Sequence, residues 1–416
     1  MKTVKDYDVI IIGAGASGCL AAISAARQKR RVLLLEHLDK IGKKILSTGN
    51  GKCNYTNQMQ GTSYYRGTDP VFVVPVMEQF GFEETLSFFR ELGIQPKEKN
   101  GYYYPYSEQA ASMVEVLTME LRRLRVDVLL SCEIESVKKK KRFLLKTSLG
   151  EFSGKTLIFA TGLLAGRKTG CDGSAFPYIE QFGHHFIDIV PSLVQMKSKD
   201  SFLKNLAGIR AEIGLKLLVE RENVFADCGE LLHIAEGLSG IVSFQASRFA
   251  AYGIRQNKSV TAVIDYYPKG DFEELYTLLT ERYLQYGKEK TAAEALIGLY
   301  PYPLAIAFLK EVGIPKDLPA AKVSTKELKR LAGLMKECKL TITGTKDFSD
   351  AQVCAGGVMT KELDNETLES RKVKGLFFCG EVIDIDGMCG GYNLQWAWSS
   401  GYVAGKQAAL TAAKQE

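Results

Sequence analysis

Tyr7-Asp8-Val9-Ile10-Ile11-Ile12-Gly13-Ala14-Gly15-Ala16-Ser17-Gly18, then Cys19 to Gln28, then Arg31-Val32-Leu33-Leu34-Leu35-Glu36, is the stretch that decides the fold. A β-branched run of strand length, with no polar alternation, fits a central strand of a parallel sheet covered on both faces. The three glycines follow at once and open a helix of small residues. Gly13 suits the tight turn, Gly15 leaves room for a pyrophosphate at the helix N-terminus, and Gly18 lets helix and strand pack closely. Glu36 ends the second strand 18 residues after Gly18, where a carboxylate accepts adenosine ribose hydroxyls. The uncharged run from Val9 to Ala26 is long enough to suggest a membrane span, but the glycines break it. Strand, glycine turn and buried helix account for it, and the expectation is a soluble α/β protein with a Rossmann-like dinucleotide-binding domain, a parallel sheet flanked by helices.

FAD is separated from NAD by the rest of the chain. Thr156 to Gly162 reads as a strand ending in Ala160-Thr161-Gly162, and Gly375 to Glu381 as another ending in Gly380-Glu381. A loop with Asp384, Asp386, Gly387, Gly390 and Gly391 then feeds a helix over Asn393 to Ala404. A second glycine-rich loop at a helix N-terminus is a second place friendly to negative charge, suited to a flavin's ribityl chain or C2 carbonyl. No second G-x-G-x-x-G occurs, so no dedicated nicotinamide domain is expected, and NAD(P)H would serve only as a transient electron donor.

Composition bounds the alternatives. The 416 residues carry a net charge of only +6, too little by itself to argue for nucleic acid or an anionic membrane. Nine scattered cysteines form no C-x-x-C pair, which points to a reducing cytosol and not to a disulfide framework. Four histidines with no metal-ligand spacing give no expectation of a metal. The basic run Lys138 to Arg142 lies between strand-like segments and reads as a solvated hairpin turn or a docking patch.

Gly42-Lys43-Lys44-Ile45-Leu46-Ser47-Thr48-Gly49-Asn50-Gly51-Lys52-Cys53-Asn54-Tyr55-Thr56-Asn57 resembles a signature of the BaiN/YhiN-like family of FAD-dependent flavoproteins, which includes enzymes of the aminoacetone oxidase type. The blocks Ala355-Gly356-Gly357-Val358, Gly380 to Gly387 and Gly390-Gly391-Tyr392-Asn393-Leu394-Gln395 are similar to the family's C-terminal pattern. Lys44 and Lys52 stand where arginine is usual, and Tyr102 stands where arginine is common. The charge is kept at the first two positions but the planar fork is lost. The resemblance implies a discontinuous FAD domain over 1–190 and 341–416. Within it sit a β-rich substrate domain over 191–270, returning near 338–345, and a helical subdomain over 271–337. Helices are expected over Phe272 to Tyr286, Thr291 to Leu299 and Lys326 to Lys336.

Fingerprint and resemblance together give the expected FAD contacts. In the N-terminal part these are Gly13, Gly15, Ala16, Ser17, Gly18, Glu36 and His37. The signature adds Lys43, Lys44, Ser47, Gly49, Asn50, Gly51 and Asn54. Ile134, Ala160, Thr161 and Gly162 come from the middle of the chain, and Gly380, Glu381, Asp386, Gly390, Gly391, Tyr392, Asn393 and Leu394 from its end. Candidate catalytic residues are Tyr392, Lys52 and Cys53. Lys52 is weighed between a flavin or substrate role and a surface contact, and Cys53 between a redox thiol and a packing group. The tyrosines 102, 103, 104 and 106 read as a wall for an apolar substrate or as a packed strand. His184, His185 and His233 are weighed as proton carriers.

The expected reaction is hydride transfer through flavin N5, reducing an activated C=C bond of a steroid-like or enone molecule with NAD(P)H. The alternatives are an amine oxidase using O2 on an aminoacetone-like substrate and an RNA-associated flavoprotein. A small-molecule substrate, no membrane or nucleic-acid partner, a cytoplasmic location and a monomer or homodimer complete the expectation.

Overall fold

The computed structural model describes residues 4–287 and 289–415. The chain divides into two compact units, one of residues up to Val190 with those from Val353 onward, the other Pro191–Gln352.

The first unit is built on a parallel core. Lys5–Ile12 pairs in parallel with Val32–Leu35 on one side and Gly150–Phe159 on the other, and Asp127–Leu129 extends the sheet beyond Val32–Leu35. Gly150–Phe159 is shared. Its first half pairs antiparallel with Phe143–Thr147, and its second half pairs parallel with Leu376–Phe378, which brings the C-terminal segment into the sheet. Val9 to Ile11 have no exposed surface, as the unbroken apolar run requires of a strand covered on both faces.

The first helix, Ala16–Arg27, and the C-terminal helix, Tyr392–Ala413, pack together through small residues. A Cβ on Gly401 would lie 2.3 Å from the Ser17 carbonyl oxygen, and one on Gly405 would lie 2.2 Å from that of Ala21. The contacts advance by four on both helices, so the helices run parallel. The C-terminal helix begins nine residues before Gly401 and the first helix one residue before Ser17. At 1.5 Å per residue, the C-terminal helix projects about 12 Å further at its N-terminal end.

The second unit is a seven-stranded sheet in the order 338–341, 260–265, 210–219, 222–234, 237–239, 196–197, 344–345. Helices 241–255, 272–285, 302–312 and 325–336 share one apolar core with it. The sequence reading misplaced one helix. Thr291 to Leu299 holds only a single 3-10 turn at Glu294–Leu296, and the helix is Tyr302–Val312. Thr291 bridges to Pro319, and the Glu294 carboxylate binds the Thr291 amide and hydroxyl, fixing a turn instead. Pro301 and Pro303 can open a helix but cannot continue one.

Lys138 to Arg142 forms the tip of the hairpin between Ile134–Lys139 and Phe143–Thr147. Arg142 is drawn inward, donating to the Tyr7 carbonyl and Ser153 hydroxyl, and Lys139 lies 3.9 Å from the Phe143 ring centroid. Among the described residues no helix is long and apolar enough to cross a membrane.

Candidate active site

The glycine loop has the geometry its residue types imply. Gly13 has φ +100°, and a Cβ there would lie 2.5 Å from the Ala160 carbonyl oxygen. Gly18 has no room either, since its Cβ would fall 1.8 Å from the Gly13 carbonyl oxygen. Gly15 is different: nothing lies within 4 Å of where its Cβ would be. The space in front of the first helix is therefore open, bounded by free backbone N–H groups and the positive end of the helix dipole. A pyrophosphate fits this cradle. Glu36 is nearly buried. Its Oε2 accepts from the Ala14 amide at 2.8 Å and its Oε1 from the Leu38 amide at 2.9 Å. Each oxygen keeps a second acceptor position, which is what ribose hydroxyls need. His37 stands beside it, Nδ1 3.8 Å from Glu36 Oε1.

The Gly380 turn closes the cradle from the other side. Gly380 has φ +77°, and a Cβ there would lie 2.4 Å from Ser17 Oγ. Its amide donates to Ser400 Oγ, and its carbonyl accepts from Trp396 Nε1. Glu381, next in the chain, accepts from Lys44 Nζ at 2.6 Å and from the Cys354 amide at 2.8 Å. Burial works against the Lys44 charge, but the Glu381 carboxylate outweighs it and holds the ammonium above the usual lysine range. The signature helix Lys43–Ser47 is thereby clamped to the C-terminal strand, beside Thr161 and Gly162.

The signature loop then turns through left-handed conformations at Gly49, Asn50, Gly51 and Cys53. Two of these are not glycines, and such strain concentrates at functional sites. The loop reaches the N-terminus of the C-terminal helix, where a Cβ on Gly391 would sit 2.8 Å from Thr56 backbone and 2.9 Å from Asn54 Oδ1. Asn54 Oδ1 is buried with no hydrogen-bond partner among the described residues, an acceptor left for a ligand N–H. The two helix N-termini, offset by about 12 Å of helix, can hold the pyrophosphate and the polar edge of a flavin at the two ends of one extended cofactor.

Other expected residues lie elsewhere or serve the frame. Lys43 pairs with Asp39 at 2.6 Å, and Ser47 Oγ donates to the Lys44 carbonyl. The Ile134 carbonyl accepts from the Tyr178 hydroxyl. Asp386 is buried in a short pairing of Asp386–Gly387 with Tyr65–Arg66. Asn393 Nδ2 and Oδ1 close the loop on Gly387, and Leu394 follows in the first helical turn. Lys52 is half-exposed, and its ammonium lies 3.7 Å from Glu108. Cys53 has no exposed surface, and burial pushes its thiol up to about 12, so it is a neutral packing group at pH 7. Tyr392 is stacked on Tyr64, centroids 4.6 Å apart at 8°.

All the expected proton carriers but His185 are enclosed. His184 is buried between Glu362 and Ser370, His185 is exposed beside the same carboxylate, and His233 spans the Ile209 carbonyl and the Tyr266 hydroxyl. Sequence reasoning missed the segment around Tyr64 and Tyr65, which carries no motif. It is brought to the site by a two-residue strand pairing with Asp386–Gly387.

A family model described as the HI0933-like protein Rossmann domain matches residues 7–407, in accord with the resemblance read from the signature. Over 402 residues the chain is 41% identical to a 3-dehydro-bile acid delta(4,6)-reductase from Clostridium scindens, covering 96% of this chain and 98% of that protein. It is 32% identical over 400 residues to a ribosomal RNA dihydrouridine synthase from Haemophilus influenzae, covering 94% and 96%. In fold it is similar to 3-ketosteroid delta1-dehydrogenase from Sterolibacterium denitrificans, with a TM-score of 0.53 at 12% identity, over 98% of this chain and 100% of that one. The chain belongs to the HI0933-like Rossmann family and is an FAD-dependent oxidoreductase.

Proposed function

We propose that this enzyme reduces a C=C bond conjugated to a carbonyl in a steroid-like small molecule, using electrons from NADH or NADPH. The observation that carries the reading is the 41% identity, over nearly the whole of both chains, to a bile acid delta(4,6)-reductase. The rRNA dihydrouridine synthase relative points to the same chemistry, since uracil's C5=C6 bond is also conjugated to a carbonyl. Both names describe saturation of an activated C=C bond, which favours reduction over amine oxidation. When bound, the flavin supplies the hydride through N5.

This chain's residues hold and shape the site. Gly15 and the first helix N-terminus would take the pyrophosphate and Glu36 the adenosine ribose, and the Lys44–Glu381 pair fixes the loop between them. The N-terminus of the C-terminal helix would lend partial positive charge to the polar edge of a bound flavin.

A second reading has support in the 32% relative: reduction of uridine in RNA. The Lys138 to Arg142 hairpin offers it little, because Arg142 and Lys139 are engaged by their own sheet.

Anaerobic stopped-flow tests the reading. The FAD-loaded protein is bleached with NADH or NADPH and then mixed with a 3-oxo-4,6-diene steroid. Rapid recovery of the oxidised flavin spectrum is expected. Recovery with a uridine-containing rRNA fragment and none with the steroid would move the assignment to RNA.

A further inference from the structure

Four tyrosines converge at the N-terminal mouth of the C-terminal helix. Tyr102 and Tyr104 lie on one face of the strand Tyr102–Pro105, while Tyr103 points to the other and packs on Phe82 at 5.1 Å. Gly390 lets the rings close in. A Cβ there would lie 2.9 Å from Tyr102 Cε1 and 3.3 Å from Tyr392 Cε2. Tyr64 stacks on Tyr392, and Tyr104 Cε1 comes within 3.7 Å of the Cβ position of Gly49 in the strained loop. Tyr64, Tyr102 and Tyr104 all keep part of their surface open to solvent.

We propose that the Tyr102 hydroxyl binds the carbonyl oxygen of the substrate, with Tyr64 and Tyr104 forming the aromatic wall against which a flat, uncharged ring system lies and the buried Tyr392 backing Tyr64. The proposal rests on the reductase reading above. Three observations support it. Among the described residues none is hydrogen-bonded to the Tyr102 side chain, so its O–H is available. Burial first, then Tyr102 beside Tyr104 and Tyr64 and Tyr102 beside Tyr392, raise the Tyr104 and Tyr392 hydroxyls above the ordinary tyrosine range, so these two stay neutral at pH 7. The nearby cations Lys52 and Lys97 share one carboxylate, Glu108, at 3.7 and 3.2 Å, so the three together leave a single positive charge, a weak attraction for a polyanion.

The chemistry balances with one hydroxyl. A hydride arriving at the β-carbon forms the new C–H bond. The C=C electron pair shifts toward the carbonyl, and negative charge develops on its oxygen. The Tyr102 O–H, hydrogen-bonded there, stabilises that charge. A proton from water then closes the α-carbon C–H bond and restores the ketone. Overall the enone gains a hydride and a proton, and the nicotinamide donor is oxidised.

The test compares the FAD-loaded parent with Tyr102→Phe. Two readouts are taken: steroid-driven reoxidation of the reduced flavin, and binding of a saturated 3-oxo steroid to the oxidised protein, followed by perturbation of the flavin spectrum. Loss of one donor to a developing oxyanion is expected to slow reoxidation about 100-fold. Binding of the saturated ketone should weaken by about tenfold. Rates and affinity within twofold of the parent would overturn the role of Tyr102. If the parent binds the ketone but is not reoxidised by the enone, and Tyr102→Phe weakens binding, the reductase reading fails while the Tyr102 contact stands. A parent that does neither overturns both.

Discussion

Gly15→Val separates a glycine kept for a ligand from a glycine kept for the fold. Gly15 has φ −73° and ψ −167°, which valine adopts without strain, and beyond its own chain neighbours no described protein atom lies within 4 Å of the new Cβ. The cost to the protein is that of a poorer N-cap, about 1 kcal/mol or less. The side chain would instead fill the cradle and separate a pyrophosphate from at least two helix N–H donors. Hydrogen bonds to a charged group contribute about 1.5–3 kcal/mol each. The Kd for FAD should therefore rise at least ~100-fold. The control is Gly18→Ala, whose Cβ would fall 1.8 Å from the Gly13 carbonyl oxygen and must displace backbone. Calorimetry of the apo protein and fluorescence titration with FAD read the two effects separately. Gly15→Val should keep its Tm within a few degrees and lose FAD, whereas Gly18→Ala should lose stability even without FAD. Full FAD retention in a folded Gly15→Val would refute the assigned pyrophosphate position.

Four further outcomes follow from the geometry. Gly401→Val should lower the Tm of the apo protein sharply, because its Cβ would meet the Ser17 carbonyl oxygen at 2.3 Å; an unchanged Tm would disprove the close helix pairing. Lys44→Met should cost about 2 kcal/mol by leaving Glu381 without its cation, and Lys44→Met/Glu381→Gln should regain part of it in a double-mutant cycle by denaturant unfolding. For Glu362, burial opposes ionisation, but Lys372, His185 and the His185 amide outweigh it and pull the carboxyl down to about 2. Its folded value lies below its unfolded one, so its contribution is whole above about pH 4.5 and fades as pH falls toward 2. Glu362→Gln should cost up to about 3 kcal/mol at pH 7, and the gap to the parent should narrow in acid. Finally, Cys228 is exposed whereas Cys53 is enclosed, so a thiol reagent should label the native protein first at Cys228, and Cys228→Ser should remove that phase.

The sequence by itself determined the parallel strand–turn–helix unit, because its signals are local. An unbroken β-branched run, glycines at 13, 15 and 18 and an acid at 36 each constrain the backbone within a few residues of themselves. The signature from Gly42 to Asn57 was legible for the same reason, and the structure shows its loop bent through left-handed turns. Where local signals conflicted, the reading failed, as at Thr291 to Leu299, where a tertiary bridge to Pro319 overrode helical spacing. Only the tertiary structure decided that Lys44 is bound to Glu381, 337 residues away, and so braces the loop while Lys52 lies near the surface. Tyr64 reaches Tyr392, and Tyr102 reaches Gly390, by strand pairings of two residues each that leave no periodic trace in the sequence. Contacts between distant segments depend on how the sheet and the two parallel helices bring chain ends together, and no window along the sequence contains both partners.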